Sequence, residues 1–267
     1  MGIPYFYSEI IRKNPNIISK HKVSNCDRMF LDFNGIIHQC VNKLKNDESL
    51  SSISNEMIFE QVVIVINKIL KRCPPKHLLY IAIDGVAPFA KQQQQRKRRY
   101  LSAYTNALIE KCKKENNIKF ISWDTNQITP GTEFMKQLNA FLKKIYSNDK
   151  SVIVSGSDEY GEGEHKAINY IKENQGDFKD VIFGLDGDLI MLALTCEKND
   201  IYLMREDQDD KTEHEFSFLN IDILRSSISK RLFDCENITY TNDFVVLCFF
   251  IGNDFLPNIA ILKLVEL

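Results

Sequence analysis

The chain has 267 residues, with 34 Lys and Arg against 36 Asp and Glu, and its formal charge of −2 excludes a wholly basic nucleic-acid binder of the histone type. Hydrophobic residues make up 44% and charged residues 26%, which is typical of folded proteins rather than disordered or collagen-like chains. The seven cysteines have no C-x-x-C spacing, so a disulfide framework and a zinc knuckle are not indicated and a reducing compartment is favoured. No apolar run approaches the roughly 20 residues that cross a membrane. We therefore expect a soluble protein of the cytoplasm, with the nucleus as the alternative.

Short β-rich runs alternate with longer helical stretches along the chain. Four of these runs end in an acidic residue and are predicted as strands: 28–32, 78–84, 152–158 and 181–186. Apolar periodicity predicts helices over 56–70, 134–146 and about 163–173. The polar stretches 42–55 and 205–215 are predicted as loops. This alternation predicts an α/β fold with a mainly parallel sheet covered by helices, and the lack of a Pro-rich or Gly/Ser-rich linker predicts a single domain over residues 1–267.

Seven acidic residues stand out because they lie at strand ends, in close pairs or in a turn after an apolar helix. They are Asp32, Asp84, Glu162, Glu164, Asp186, Asp188 and Asp254. In a parallel sheet the carboxyl ends of the strands share one edge, where ligands bind. Clustered carboxylates repel one another unless a cation neutralises them, and oxygen ligands without Cys or His favour Mg²⁺, with Mn²⁺ as the alternative, over zinc. The pattern predicts a two-metal site for phosphodiester cleavage.

The paired acids impose a condition on the local structure. Glu162 and Glu164 can converge only if Glu162 precedes the helix, because residues i and i+2 of a helix point about 200° apart. Gly161 and Gly163 permit such a turn. Each acid by itself also fits a simpler role at a helix N-terminus or in a capped turn, and it is their number that favours a metal site.

A basic segment begins seven residues after Asp84. Residues 91–99 read KQQQQRKRR, with five cations and no acid. Four residues with the spacing of one helix face are candidate phosphate ligands: Lys91, Gln95, Arg98 and Arg99. They lie at the N-terminal end of a predicted helix, where the helix dipole and guanidinium groups favour a phosphate. A solvated charged face and a nuclear-localisation signal are the alternatives for this segment.

Together these motifs resemble the first conserved region of the XRN-type 5′→3′ exoribonuclease family. The matching segments follow the family's order along nearly the whole chain: MGIP at the start, LDFNGIIHQC, DGVAPFAKQQQQRKRR, ITPGTEFM, SGSDEYGEGEHK, GLDGDLIML and DFVVLCFFIGNDFLP. The resemblance implies a PIN/FEN-like α/β nuclease domain. It also implies an enzyme that uses two Mg²⁺ ions to release mononucleotides from single-stranded RNA with a 5′-monophosphate.

The resemblance further implies roles for individual residues. All seven acids would bind metal ions, and the four candidate phosphate ligands would hold the 5′-phosphate. His38 would stack on the terminal base, although a lone histidine near an apolar run is more often a packed residue. The chain departs from the family at Glu159-Tyr160, where a pair like Val-Pro is common, and at Gly187, where Ala is common. Family members also continue into a second conserved region that completes the substrate wall, so we expect the domain to be incomplete at its C-terminus relative to the family.

Two other functions fit the same acidic residues. A flap-endonuclease-like DNA nuclease shares the acidic site, but residues 255–258 do not resemble the glycine-rich duplex-binding hairpin that usually follows it. An RNA 5′-end binding module, or a regulatory fragment, would have the site without full turnover. Competition between single-stranded RNA and flap DNA, and binding without product, distinguish these alternatives.

Overall fold

The fold is an α/β arrangement whose strands carry mostly buried apolar side chains. The computed structural model describes residues 3, 5–20, 23, 25–206, 216–233, 239–253, 256–257 and 259. The helices are α1 (Phe6–Lys13), α2 (Phe33–Lys45), α3 (Asn55–Arg72), α4 (Phe89–Glu115), α5 (Glu133–Ile145), α6 (Gly163–Glu173), α7 (Asp188–Leu194), α8 (Ile221–Phe233) and α9 (Thr239–Phe249). The strands are β1 (Ile18–Ser19), β2 (Arg28–Asp32), β3 (Leu78–Ala82), β4 (Val152–Ser155), β5 (Asp180–Phe183), β6 (Ile201–Glu206) and β7 (Phe216–Asn220).

The chain forms two compact units. The first unit comprises Met1–Leu31, Cys73–Tyr80 and Glu164–Leu267, within the described residues, and the second comprises Asp32–Arg72 and Ile81–Gly163. Both units are discontinuous in sequence, which explains why no linker composition marks the boundary between them.

In the first unit, six strands follow the order β1-β7-β6-β5-β2-β3. Strands β2, β5 and β6 pair in parallel, whereas β7 pairs antiparallel with β6 and β1 pairs antiparallel with β7. All four residues of β5 are buried, as expected for a central strand that reads as a continuous apolar run. The carboxyl ends of β2 and β5 therefore lie at the same edge of the sheet. The predicted α/β class with a mainly parallel sheet is confirmed.

In the second unit, helix α3 packs against α2 and, through aromatic side chains, against α5. The ring centroids of Phe59 and Phe141 lie 5.1 Å apart, and those of Phe59 and Phe134 lie 5.6 Å apart. Strand β4 lies beside the end of β3, where the N–H of Ile83 donates to the main-chain oxygen of Ser155 at 2.9 Å. Helix α4 has fewer buried side chains than these helices. Of its 27 residues, Lys91 alone is buried.

The predicted elements exist, with corrections to their bounds. The four predicted strands correspond to β2, β3, β4 and β5, but β3, β4 and β5 end two or three residues before the acidic residue, and the three predicted helices correspond to α3, α5 and α6. The prediction of a loop over 42–55 is wrong at its start, because α2 continues to Lys45. Val41 and Leu44 keep the helix spacing and are buried, so packing extends α2 through a polar sequence. Of the second predicted loop, residues 205–206 belong to β6 and the rest lies outside the described residues. Among the described helices, none combines the length and the apolar composition needed to cross a membrane.

A buried ion pair joins the first residues of β2 and β5. Arg28 donates from Nε and Nη2 to the two carboxylate oxygens of Asp180, both at 2.7 Å, and the two residues are partners in the parallel register. Arg28 is 3% exposed and Asp180 is fully buried. The Arg28 guanidinium also lies 4.4 Å from the ring centroid of Phe178, and Lys198 Nζ lies 3.2 Å from Asp180 Oδ2. Removing the carboxylate would leave the buried Arg28 and the partly buried Lys198 without this counterion.

We expect Asp180→Asn to lower the free energy of unfolding by about 3 kcal/mol, since breaking a buried ion pair on one side is strongly destabilising. Urea unfolding followed by circular dichroism measures the change. The matched control is Glu9→Gln, which breaks the exposed Glu9–Arg12 pair (N–O distance 2.6 Å) and should leave the urea midpoint unchanged. Equal shifts for the two variants would contradict a structural role for the buried pair.

Candidate metal and phosphate site

In the second unit, the carboxylates of Asp32 and Asp84 lie close to the main chain of Gly163. A Cβ atom added to Gly163 would lie 2.9 Å from Asp32 Oδ1 and 3.3 Å from Asp84 Oδ1. The same atom would lie 2.6 Å from the main-chain oxygen of Ala82, a separation that real Cβ atoms essentially never show. Glycine is therefore the residue that fits here. The two carboxylate oxygens lie within 3.3 Å of one point, so two of the predicted acids are brought together.

Hydrogen bonds hold Asp84 in place. The N–H of Gly163 donates to Asp84 Oδ1 at 2.6 Å, and the N–H of Asp84 donates to Asn34 Oδ1 at 3.1 Å. Asn34 lies in the first turn of α2, two residues after Asp32. Sequence reasoning did not single it out, because its contact with Asp84 depends on the neighbouring arrangement of β2 and β3.

The turn before α6 places Glu162 ahead of the helix. The N–H of Gly85 donates to the Gly161 oxygen at 2.8 Å, and the N–H of Gly161 donates to the Val86 oxygen at 3.1 Å. Gly161 has φ of +101°, a conformation that favours glycine. Helix α6 begins at Gly163, so Glu162 precedes the helix. This is the local structure that convergence of Glu162 and Glu164 was expected to require.

Glu162 forms a buried ion pair with Lys91 of α4. Lys91 Nζ lies 3.3 Å from Glu162 Oε1, and both side chains are less than a tenth exposed. A buried carboxylate is costly unless a cation accompanies it, and Lys91 supplies that cation. The pair brings a predicted phosphate ligand into contact with a predicted metal ligand.

The first unit contains three more of the predicted acids. Glu164 is buried in the first turn of α6, with its Oε1 atom 3.8 Å from Nδ1 of His165, a residue that sequence reasoning did not select. Asp188 begins α7, and its N–H lies 3.5 Å from Oδ1 of the exposed Asp186. That contact is also what the alternative of a capped turn predicts. Asp254, the last of the seven acids, lies outside the described residues.

The predicted phosphate ligands divide between neighbouring faces of α4. Gln95 and Arg99 line an open cavity of about 400 Å³, which is also lined by residues 85–87 and by Thr129 and Pro130. Arg99 Nε donates to the main-chain oxygen of Gln95 at 3.2 Å, which holds one edge of the guanidinium. Lys91 and Arg98 do not line this cavity.

The environment of His38 includes Arg98. Partial burial, and then the positive charges of Arg98 and Lys45, lower the pKa of the His38 imidazole below its ordinary value. His38 as a whole residue is nevertheless exposed. The lowered pKa favours the neutral imidazole at neutral pH.

The similarity to known proteins extends along nearly the whole chain, as the motifs do. Residues 1–207 match the family model described as the XRN 5'-3' exonuclease N-terminus, and residues 232–267 match the Xrn1 helical domain. The chain is 33% identical to 5'-3' exoribonuclease 1 of Schizosaccharomyces pombe, with 100% of this chain and 23% of the relative covered. It is 35% identical to the Saccharomyces cerevisiae 5'-3' exoribonuclease 1, with 99% of this chain and 20% of the relative covered.

A second group of relatives consists of 5'-3' exoribonuclease 2 proteins. The Yarrowia lipolytica protein is 32% identical, with 97% of this chain and 33% of the relative covered. The chain thus spans between a fifth and a third of the length of these three relatives.

A solved structure supports the fold. The catalytic core of Rad2 in complex with DNA substrate superimposes with a TM-score of 0.54 at 15% identity, covering 99% of this chain and 66% of that one. At this identity the likeness concerns the fold alone. It agrees with the predicted PIN/FEN-like arrangement of helices around a mainly parallel sheet.

We expect Gly163→Ala to lower the free energy of unfolding by about 1–3 kcal/mol, because the added methyl group would force Ala82, Asp32 and Asp84 apart. The matched control is Gly35→Ala in α2. Gly35 has nothing within 4 Å of an added Cβ, so alanine should stabilise the helix by about 0.5–1 kcal/mol. Urea unfolding of both variants gives the comparison, and a neutral result at Gly163 would contradict the close approach.

Proposed function

Because the chain belongs to the XRN 5′–3′ exonuclease family, we propose that it is a 5′→3′ exoribonuclease. Its proposed substrate is single-stranded RNA with a 5′-monophosphate, which it hydrolyses to mononucleotides. The observation that carries the proposal is the convergence of Asp32 and Asp84 on Gly163, in the unit that also contains the basic start of α4. The exoribonuclease names of the relatives support the choice of reaction and of RNA.

Two Mg²⁺ ions, with Mn²⁺ as the alternative, are the proposed cofactors. The proposed ligands are Asp32, Asp84, Glu162, Glu164, Asp186, Asp188 and Asp254. The donors gathered at Gly163 are carboxylate oxygens, which suit a hard divalent cation, and the missing Cβ leaves room for their approach. When bound, such ions activate water and stabilise the leaving oxygen of a phosphodiester.

The chain's own residues position these carboxylates before any substrate arrives. The N–H of Gly163 orients Asp84, and Asn34 holds the main chain of Asp84. Lys91 offsets the charge of Glu162. Groups fixed in advance need no reorganisation during the reaction, which is the main source of electrostatic catalysis.

The basic face of α4 is the proposed site for the 5′ end. We assign the terminal phosphate to Lys91, Gln95, Arg98 and Arg99, and the terminal base to His38. Guanidinium and amide donors match a phosphate, and the neutral imidazole offers a stacking surface near Arg98. Recognition of a terminal phosphate would restrict cleavage to the 5′ end.

The two alternative functions make different predictions. A flap-endonuclease-like activity would act on DNA, and the Rad2 likeness supports the fold without favouring that substrate. An RNA 5′-end binding fragment would hold monophosphorylated RNA without cleaving it. The cytoplasmic location, the nuclear alternative and the single-domain description remain predictions.

We expect Asp84→Asn to slow the release of nucleotides from 5′-monophosphorylated RNA by on the order of 10²–10³-fold, because a metal-binding carboxylate is lost where charge develops. The rate is measured with 3′-labelled RNA, with Mg²⁺ and with EDTA. Asp158→Asn is the matched control, because Asp158 also follows a strand of the second unit but is exposed and pairs with Lys143 at 3.2 Å.

The control should keep its rate within about twofold of the unmodified chain. Equal rates for all three proteins, or unchanged cleavage in EDTA, would contradict the proposal. RNA binding without any product from the unmodified chain would favour the binding fragment instead.

A further inference from the structure

The cavity beside α4 contains an arginine outside the predicted phosphate site. Arg96 lines it together with Gln92, Gln95 and Arg99. These positions have the spacing i, i+3, i+4 and i+7, so the four side chains form one face of the helix. Lys97, the next residue, is exposed and points about 100° away from Arg96.

The lining of the cavity suits an anion. Arg96 and Arg99 contribute two guanidinium groups, and none of the described side chains that line it is acidic. Gln92 Nε2 donates to the Ala87 oxygen at 2.9 Å, which anchors the amide to the segment that precedes the helix. Thr129 adds a hydroxyl group. An anchored amide beside two guanidinium groups suits a phosphate.

The volume of the cavity exceeds what one inorganic ion needs. About 400 Å³ falls within the range of pockets that hold small organic ligands, such as a nucleotide. Lys91 and Arg98 do not line this space, so a phosphate bound there would be held by a different set from the one the motif spacing suggests.

We propose that Arg96, together with Arg99, binds a phosphate group of the RNA strand in this cavity. The inference deepens the proposed function, because it adds Arg96 to the substrate-binding residues. The phosphate is either the terminal monophosphate or a backbone diester, and both present the same oxygens to the two arginines.

The test compares Arg96→Gln with Lys97→Gln. The two variants lose the same charge from adjacent exposed positions of α4, and Arg96 is the one that lines the cavity. Fluorescence anisotropy with a 3′-labelled RNA octamer carrying a 5′-monophosphate measures binding in EDTA, where turnover plays no part. We expect Arg96→Gln to weaken binding about tenfold and Lys97→Gln about twofold.

A second RNA with a 5′-hydroxyl group identifies the phosphate. If Arg96→Gln weakens binding of the monophosphate RNA alone, Arg96 holds the terminal phosphate. If it weakens both RNAs, Arg96 holds a backbone diester. Either result supports the site, whereas equal effects of Arg96→Gln and Lys97→Gln on both RNAs overturn it.

The binding experiment and the cleavage experiment test the cavity and the proposed function separately. Binding in EDTA reports the cavity, and the Asp84→Asn comparison in Mg²⁺ reports the chemistry. Loss of the Asp84 effect with an intact Arg96 effect would overturn the nuclease and leave the phosphate site. The reverse pattern would overturn the phosphate site alone.

Discussion

The absence of a side chain at Gly163 is the constraint on which the candidate site depends. Its Cα lies so close to Asp32, Asp84 and the Ala82 oxygen that even a methyl group would collide with them. Its N–H also orients Asp84. One glycine at the start of α6 thus allows two strand-end carboxylates to face the same point and fixes one of them there.

Charge compensation explains how such a site can fold. Like carboxylates repel at short range, and burial makes the repulsion stronger. The ion pair of Lys91 with Glu162 offsets part of this charge, and residues 91–99 extend the positive charge along α4. The net charge of −2 therefore conceals a second unit in which three of the acids, Asp32, Asp84 and Glu162, occur together with a basic helix.

The convergence of Asp32 and Asp84 could be predicted from the sequence, and their role as metal ligands stays a prediction. Asp32 and Asp84 were identifiable because the ends of neighbouring strands meet at one edge, and Glu162 because glycines flank it. The contact of Asn34 with Asp84 and the position of Arg96 at the cavity were not identifiable, because both depend on which main-chain atoms and loops lie nearby. The helical state of residues 42–45 was missed for a related reason, because burial of Leu44 outweighs the local polar composition.

The most direct test of the account is the dependence of cleavage on the 5′ end. Two RNAs of one sequence, one with a 5′-monophosphate and one with a 5′-hydroxyl group, are incubated with the chain in Mg²⁺, and the first products are identified. The account predicts mononucleotides from the monophosphate RNA, released at least about tenfold faster than from the hydroxyl RNA because a charged hydrogen-bonding partner is lost. Equal rates, or cleavage at internal positions, would contradict it.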